Sequence, residues 1–296
     1  MVSASAVFLA AYMVLGLALA YLLITKRAPR AWRNLWLAIH ILLRIAAQIS
    51  SVGFGVEGFR NVNWMYAYFV LGVEGTTSII ICWARFFIAF QMKVWGNSYL
   101  EPRRPEGMST WRYQLYSLSS PVVFGHIFII TANVLLVVGG VVSLNNHTDT
   151  DDEYHPTKNT LGLRVAAYAL FMSIVQSIAA YTIVEIRKCV SHGLKHTCLK
   201  IVLLVWPFLT IRVIFGILSC TVDIFDLNNP ALYTSLDGFP SSYVAAESCL
   251  GIFPEFASAT FLVISNSLWN HIQPAQDIEQ TQTELQTDLL KADTPK

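Results

Sequence analysis

The sequence predicts an all-α, polytopic membrane protein with seven transmembrane helices, its N-terminus lumenal or extracellular and its C-terminus cytosolic. Three observations carry that expectation. Hydrophobic residues make up 54% of the 296-residue chain and charged residues only 13%, with a mean hydropathy of +0.51. A soluble domain carries about twice that share of charge. Seven apolar runs are each long enough to cross about 30 Å of hydrocarbon: Ala6 to Ile24, Leu35 to Phe54, Met65 to Ala89, Val122 to Val142, Leu161 to Ile183, Leu199 to Ser219 and Tyr243 to Ile264. Finally, the net charge of +1 hides an alternation of basic and acidic connections between those runs.

The connections after the first, third and fifth runs carry Lys26, Arg27, Arg30 and Arg33, then Lys93, Arg103, Arg104 and Arg112, then Arg187, Lys188, Lys195 and Lys200. The intervening ones hold only Arg60 and Lys158 among bases, with Asp149, Asp151, Asp152 and Glu153 in one and Asp223, Asp226 and Asp237 in the other. Excess Lys and Arg marks the cytosolic side. Asn146-His147-Thr148 is a glycosylation sequon, and it falls in a loop that this rule independently places in the lumen, so Asn146 is a candidate glycan acceptor. The first run lacks a basic leader and is followed by the Lys26 to Arg33 cluster, which reads as a retained reverse anchor. Residues 1–272 form the membrane domain, and the polar, Gln-rich residues 273–296 read as a disordered cytosolic tail. Of five cysteines, only Cys220 and Cys249 are placed to meet near the lumenal face, and a disulfide there is not the expectation.

Taken in order, the first helix is apolar all round apart from Tyr12, Gly16 and a few alanines, which suits a lipid-facing position without chemistry. The second has a polar stripe, His40, Arg44, Gln48 and Ser51, at steps of three or four residues. His40 and Gln48 taken singly suit interhelical hydrogen bonds, whereas a deep guanidinium such as Arg44 needs a carboxylate or a ligand. The third helix places Glu74 at a depth that should reach Arg44, with Thr77, Ser78, Ile81 and Arg85 on the same face. Arg85 lies near the boundary, where it can snorkel to headgroups. Between the third and fourth helices, Met108 to Ser119 reads as an interfacial anchor. The fourth helix carries His126 and Asn133 on one face, and the fifth Ser173 and Gln176 beside Tyr168 and Phe171. These residues line a cavity or hold helices together. The sixth helix opens Trp206-Pro207-Phe208 and places Arg212 with Phe208, Phe215, Gly216 and Ser219.

The seventh helix contains Phe253-Pro254-Glu255-Phe256. Proline removes an amide donor and frees the carbonyl four residues back, that of Leu250, so the helix should open locally beside Glu255. A charge at mid-bilayer costs about 2.5 to 3.5 kcal/mol on insertion scales and is by default a functional residue with a partner. Arg44, Glu74, Arg212 and Glu255 thus form a balanced quartet at similar depth. They also recur as Arg then Glu in two helical triplets, a regularity read as coincidence because no other side chains match.

In a dry site desolvation disfavours the charged carboxylate, so Glu74 or Glu255 can serve as a general acid while the other, paired with arginine, stays a base or an anchor. Trp206, Phe208, Phe215, Phe253 and Phe256 offer ring faces that stabilise a cation, and with His40 and Gln48 they are the candidate substrate contacts. No phosphate loop, metal-ligand spacing, nucleic-acid motif or aspartate-rich diphosphate motif is present in the sequence. No metal and no cofactor are therefore expected.

Leu43-Arg44-Ile45-Ala46, Pro207-Phe208-Leu209-Thr210-Ile211-Arg212 and Phe253-Pro254-Glu255-Phe256 resemble motifs of the seven-helix membrane proteins of filamentous fungi that include the ascofuranone-type membrane-bound terpene cyclases. The similarity runs to about Leu268. It departs from that pattern at Ala46 and Ala47, where a glycine is expected, and at Phe215, where tyrosine is common. The resemblance implies cofactor-independent cyclisation of an epoxidised prenyl chain on an aromatic polyketide, in meroterpenoid biosynthesis at the endoplasmic reticulum. Its pathway neighbours would be a prenyltransferase and an epoxidising monooxygenase. Arg44, Arg212 and Glu255 are the motif-matched positions, while Glu74 rests on depth alone. Two other classes compete. A seven-helix receptor fits the topology but lacks an acid before Arg85 and a proline-tyrosine switch in the last helix; a small-molecule transporter fits the deep charges.

Overall fold

A computed structural model of the protein describes residues 1–26, 28, 31–101, 107–109, 111–112, 120–145, 158–226, 239–272 and 274. Among them every regular element is helical. Seven helices are long and apolar enough to cross a membrane. They are α1 (Val2–Ile24), α2 (Trp32–Glu57), α3 (Val62–Trp95), α4 (Pro121–Asn145), α5 (Lys158–Ser191), α6 (Thr197–Thr221) and α7 (Ser241–Ser267). Asn146 and the tail from 275 onward, with their expected glycan and disorder, lie outside the described residues.

Most helices overshoot their apolar runs, because an α-helix continues through the headgroup region once its polar end residues can reach water. α3 shows both terminal signals. The Asn61 side chain accepts the amide of Asn63 at 3.3 Å, and Gly96 ends the helix in the left-handed region at φ 72°.

Two prolines shape the last two spans. Pro207 cannot donate to the carbonyl of Leu203, and α6 breaks there, its first segment Thr197–Leu203 giving way at Leu204 to Val205–Thr221. Pro254 leaves the Leu250 carbonyl in the same position. In α7 the result is a widened π-helical turn over Glu247–Ile252, between Ser241–Ala246 and Phe253–Ser267. The expected opening thus lies on the N-terminal side of Glu255 and extends over six residues.

α2, α3, α6 and α7 surround the centre, with α1 packed on α2 and α7, and α4 on α5. The main core joins Tyr12, Trp83, Phe86, Phe171 and Leu209. A second cluster around Phe87, Phe90 and Trp269 closes the end that carries the basic connections, and a third around Phe54, Phe239 and Tyr243 closes the other. α1 is peripheral as expected, yet it is not inert: Tyr12 is fully buried, its ring centroid 5.3 Å from Phe256. All five cysteines are free, Cys220 buried and Cys249 exposed.

Candidate functional site

The centre of the bundle is a carboxylate held between two arginines. Glu255 Oε1 accepts hydrogen bonds from Arg212 Nε at 2.7 Å and from the Thr76 hydroxyl at 2.7 Å. Its other oxygen lies 3.0 Å from Arg44 Nε. That second contact is an ion pair by distance, but its angle is not that of a hydrogen bond. Glu255 is 0% exposed, Arg44 2% and Arg212 8%. Every neighbour of the carboxylate is a donor, which suits an ionised, acceptor-only group.

Glycine makes the Arg44 contact possible. A methyl group at Gly75 of α3 would lie 2.7 Å from Arg44 Cδ, 2.8 Å from Arg44 Nη1 and 3.0 Å from Glu255 Oε2. Only a residue without Cβ lets the ion pair lie against the α3 backbone.

Glu74 does not join this cluster. It is exposed, and no hydrogen bond or ion pair engages it among the described residues. The α3 surface that meets Glu255 is that of Gly75 and Thr76. Depth along α3 is right for Glu74, but its direction around the helix axis is wrong. Thr77, on the same stripe as Glu74, bonds Asn133 of α4 at 2.8 Å. Further along, Ile81 and Arg85 line a cleft of about 500 Å³ between α3, α4 and α5. Arg85 pairs there with Glu101 at 2.7 Å.

A different acid stands beside the cluster. Glu247, at the start of the π-helical turn, is half-buried and accepts a hydrogen bond from Tyr68 Oη at 3.2 Å. It lies within electrostatic reach of Arg212 and of Tyr168. Gly251 leaves room for it, because a Cβ there would sit 3.0 Å from the Glu247 carboxylate. Glu255 is thus shared by two arginines, and Glu247 is the next acid along α7 towards Arg212. Its signal was present in the sequence, since Glu247 stands inside the seventh apolar run eight residues before Glu255. Eight residues are close to two α-helical turns, which puts both acids near one face.

The polar stripe of α2 runs along this cluster. His40 Nδ1 bonds the Ser78 hydroxyl at 2.9 Å, and among the described residues Nε2 has no hydrogen-bond partner. Gln48 is 0% exposed, and among the described residues neither atom of its amide is hydrogen-bonded. Leaving such a group unmade costs about 1–3 kcal/mol. Tyr12 presents its ring 6.0 Å from the Arg44 guanidinium.

The candidate aromatics divide. Phe215 is buried with its ring 6.0 Å from Phe225, and Phe256 packs on Tyr12 beside the arginines. Trp206 and Phe253 are instead on the outer surface, 36% and 48% exposed, and Phe208 packs against Phe253 and Phe261. Trp206 donates to Gln176 Oε1 at 3.0 Å, so that pair fastens α6 to α5. Ser173 bonds back to its own helix and His126 to the Val122 carbonyl, and both line the cleft between α3, α4 and α5. The ring of Tyr168 lies over Gly216, where a Cβ would be 2.1 Å from it. Among the described residues no three His, Cys, Asp or Glu side chains are grouped to hold a metal.

Compared with family models, with curated proteins and with solved structures, the chain matches none.

Proposed function

We propose that this chain is a membrane-bound terpene cyclase that closes a ring on an epoxidised prenyl chain by acid-initiated epoxide opening, without a cofactor. The observation that supports it most is convergence. The three sequence motifs behind the resemblance lie on α2, α6 and α7, and their charged members, Arg44, Arg212 and Glu255, meet in one ion-paired cluster. A buried cluster of this kind is costly to maintain for packing alone, since apolar residues fill the same space at no loss of stability. Glu255 acts as the fixed charge that aims both guanidiniums. Phe256, Phe215 and Tyr12 supply apolar and aromatic surface for a lipophilic chain. The substrate reaches the site from the bilayer of the endoplasmic reticulum, after a prenyltransferase and an epoxidising monooxygenase have acted.

Microsomes containing the protein are expected to convert an epoxy-prenyl phenol into a cyclic isomer of the same mass with nothing added. Glu255→Gln and Arg212→Gln should each abolish the product while the protein remains in the membrane fraction. Unchanged turnover in both variants refutes the role of the cluster, and no isomerisation of any epoxy-prenyl substrate by the wild type refutes the activity.

A further inference from the structure

We infer that Glu247, together with Tyr68, is the proton-transferring group of this site, and that the reacting oxygen binds beside it near Arg212. The inference rests on the cyclase reading and names its acid. Glu255 is poorly placed to touch a substrate. It is 0% exposed, one oxygen is taken by Arg212 and Thr76, and the other faces Arg44 and the Gly75 backbone. A group that donates a proton must lie within hydrogen-bond reach of the atom that receives it.

Glu247 has an oxygen open to such contact. It is half-buried, one oxygen accepts from Tyr68, and among the described residues the other has no hydrogen-bond partner. The π-helical turn that begins at Glu247 and the bare backbone at Gly251 let its carboxylate lie along the inner face of α7. Such turns are frequent at functional sites. Tyr68 itself is 5% exposed, so its hydroxyl is a buried relay rather than a surface group. Aromatic rings crowd this end of the bundle: Tyr68 and Phe69 are 5.8 Å apart, Phe69 and Phe239 6.1 Å, and Phe239 and Tyr243 5.1 Å. Their faces stabilise positive charge that develops on carbon.

The step balances without a co-reactant. The Glu247 carboxyl gives its proton to the epoxide oxygen as the bond from that oxygen to the more substituted carbon breaks. The oxygen of a hydroxyl on the same substrate forms the new bond to that carbon. Its proton returns through Tyr68 to the Glu247 carboxylate, which restores the acid, and the product is an isomer of the substrate.

Two measurements test this. In the microsomal assay Glu247→Gln should lower turnover about 10²–10⁴-fold, with Tyr68→Phe impaired less and Glu247→Asp retaining part of the activity. In parallel, purified wild-type protein in detergent is treated with a lipophilic carbodiimide, which reacts with a carboxyl able to give up a proton to it, and the labelled peptides are mapped by mass spectrometry. Label at Glu247 and none at Glu255 is the expected result, and it needs neither a substrate nor a folded variant. Label at Glu255 with none at Glu247, or turnover of Glu247→Gln within twofold of the wild type, overturns the inference and leaves the cyclase reading standing. Absence of any wild-type turnover removes that reading, and the catalytic role of Glu247 falls with it.

Discussion

Glu255 holds two cations at once, so removing it and removing either arginine have different consequences. Glu255→Gln leaves two buried guanidiniums without a charge partner, and loss of a buried partner costs about 3–5 kcal/mol. Thermal unfolding in detergent should show that loss. A double-mutant cycle should give a larger coupling for Glu255 with Arg212, which is aligned at 2.7 Å, than with Arg44, whose 3.0 Å contact lacks hydrogen-bond geometry. Gly75→Ala provides a second measure of the same site. The added methyl meets Arg44 at 2.7 Å, and overpacking of that kind costs about 1–3 kcal/mol. Gly72→Ala, three residues earlier and with nothing within 4 Å of its Cβ, should instead gain about 0.5–1 kcal/mol in thermal stability. Gln48 is the converse case. Its amide is buried without a partner, so Gln48→Met should raise stability by about 1 kcal/mol while lowering turnover. A fall in both quantities would show that the amide is satisfied in the protein.

The geometry of single residues depends on two interrupted helices. Pro254 removes the donor for Leu250, and the π-helical turn over Glu247–Ile252 absorbs the break. The wider turn changes the direction in which Glu247 leaves α7 relative to Glu255. Pro254→Ala restores the donor and lets an ordinary α-helical turn form, which rotates Glu247 away from Tyr68 and Arg212. The expected outcome is unchanged or higher helicity by circular dichroism together with lower turnover. α6 uses Pro207 differently, breaking at Leu204 below the level of Arg212 and leaving Val205–Thr221 as the segment that carries the arginine. α3 is continuous over 34 residues and serves as the common wall, presenting Tyr68, Gly75 and Thr76 to α7 and Ser78 to α2.

Across the whole molecule, the end with the basic connections is locked by polar contacts that involve no substrate group. Arg33 stacks on Trp269 with its guanidinium carbon 3.3 Å from the ring centroid and donates to Asn266 Oδ1, while Asn266 donates to Asn34. Lys93 bonds the Trp269 carbonyl, and the buried Glu185 accepts from Gln91 and Trp95. These contacts tie the end of α7 to α2 and α3, and α3 to α5. The orientation of the bundle is tested at Asn146: a mobility shift on endoglycosidase treatment is expected, and it should disappear in Asn146→Gln. A wild-type chain that is accessible at Asn146 only from the cytosolic side reverses the topology. The sequence by itself determined the helical class, the seven apolar spans and the depth of Arg44, Arg212 and Glu255, because hydropathy, length and position along a helix are local properties. It also announced the interruption at Pro254, since the loss of a backbone donor needs no tertiary partner. What only the tertiary structure decided is direction around each helix axis. Glu74 and Gly75 are adjacent in sequence and equal in depth, yet one is exposed and the other lies against the ion pair. The same packing made Glu255 the shared partner of two arginines and brought Tyr12, Tyr68 and Glu247 beside them, because which side chains meet across a bundle depends on how the helices are rotated against one another.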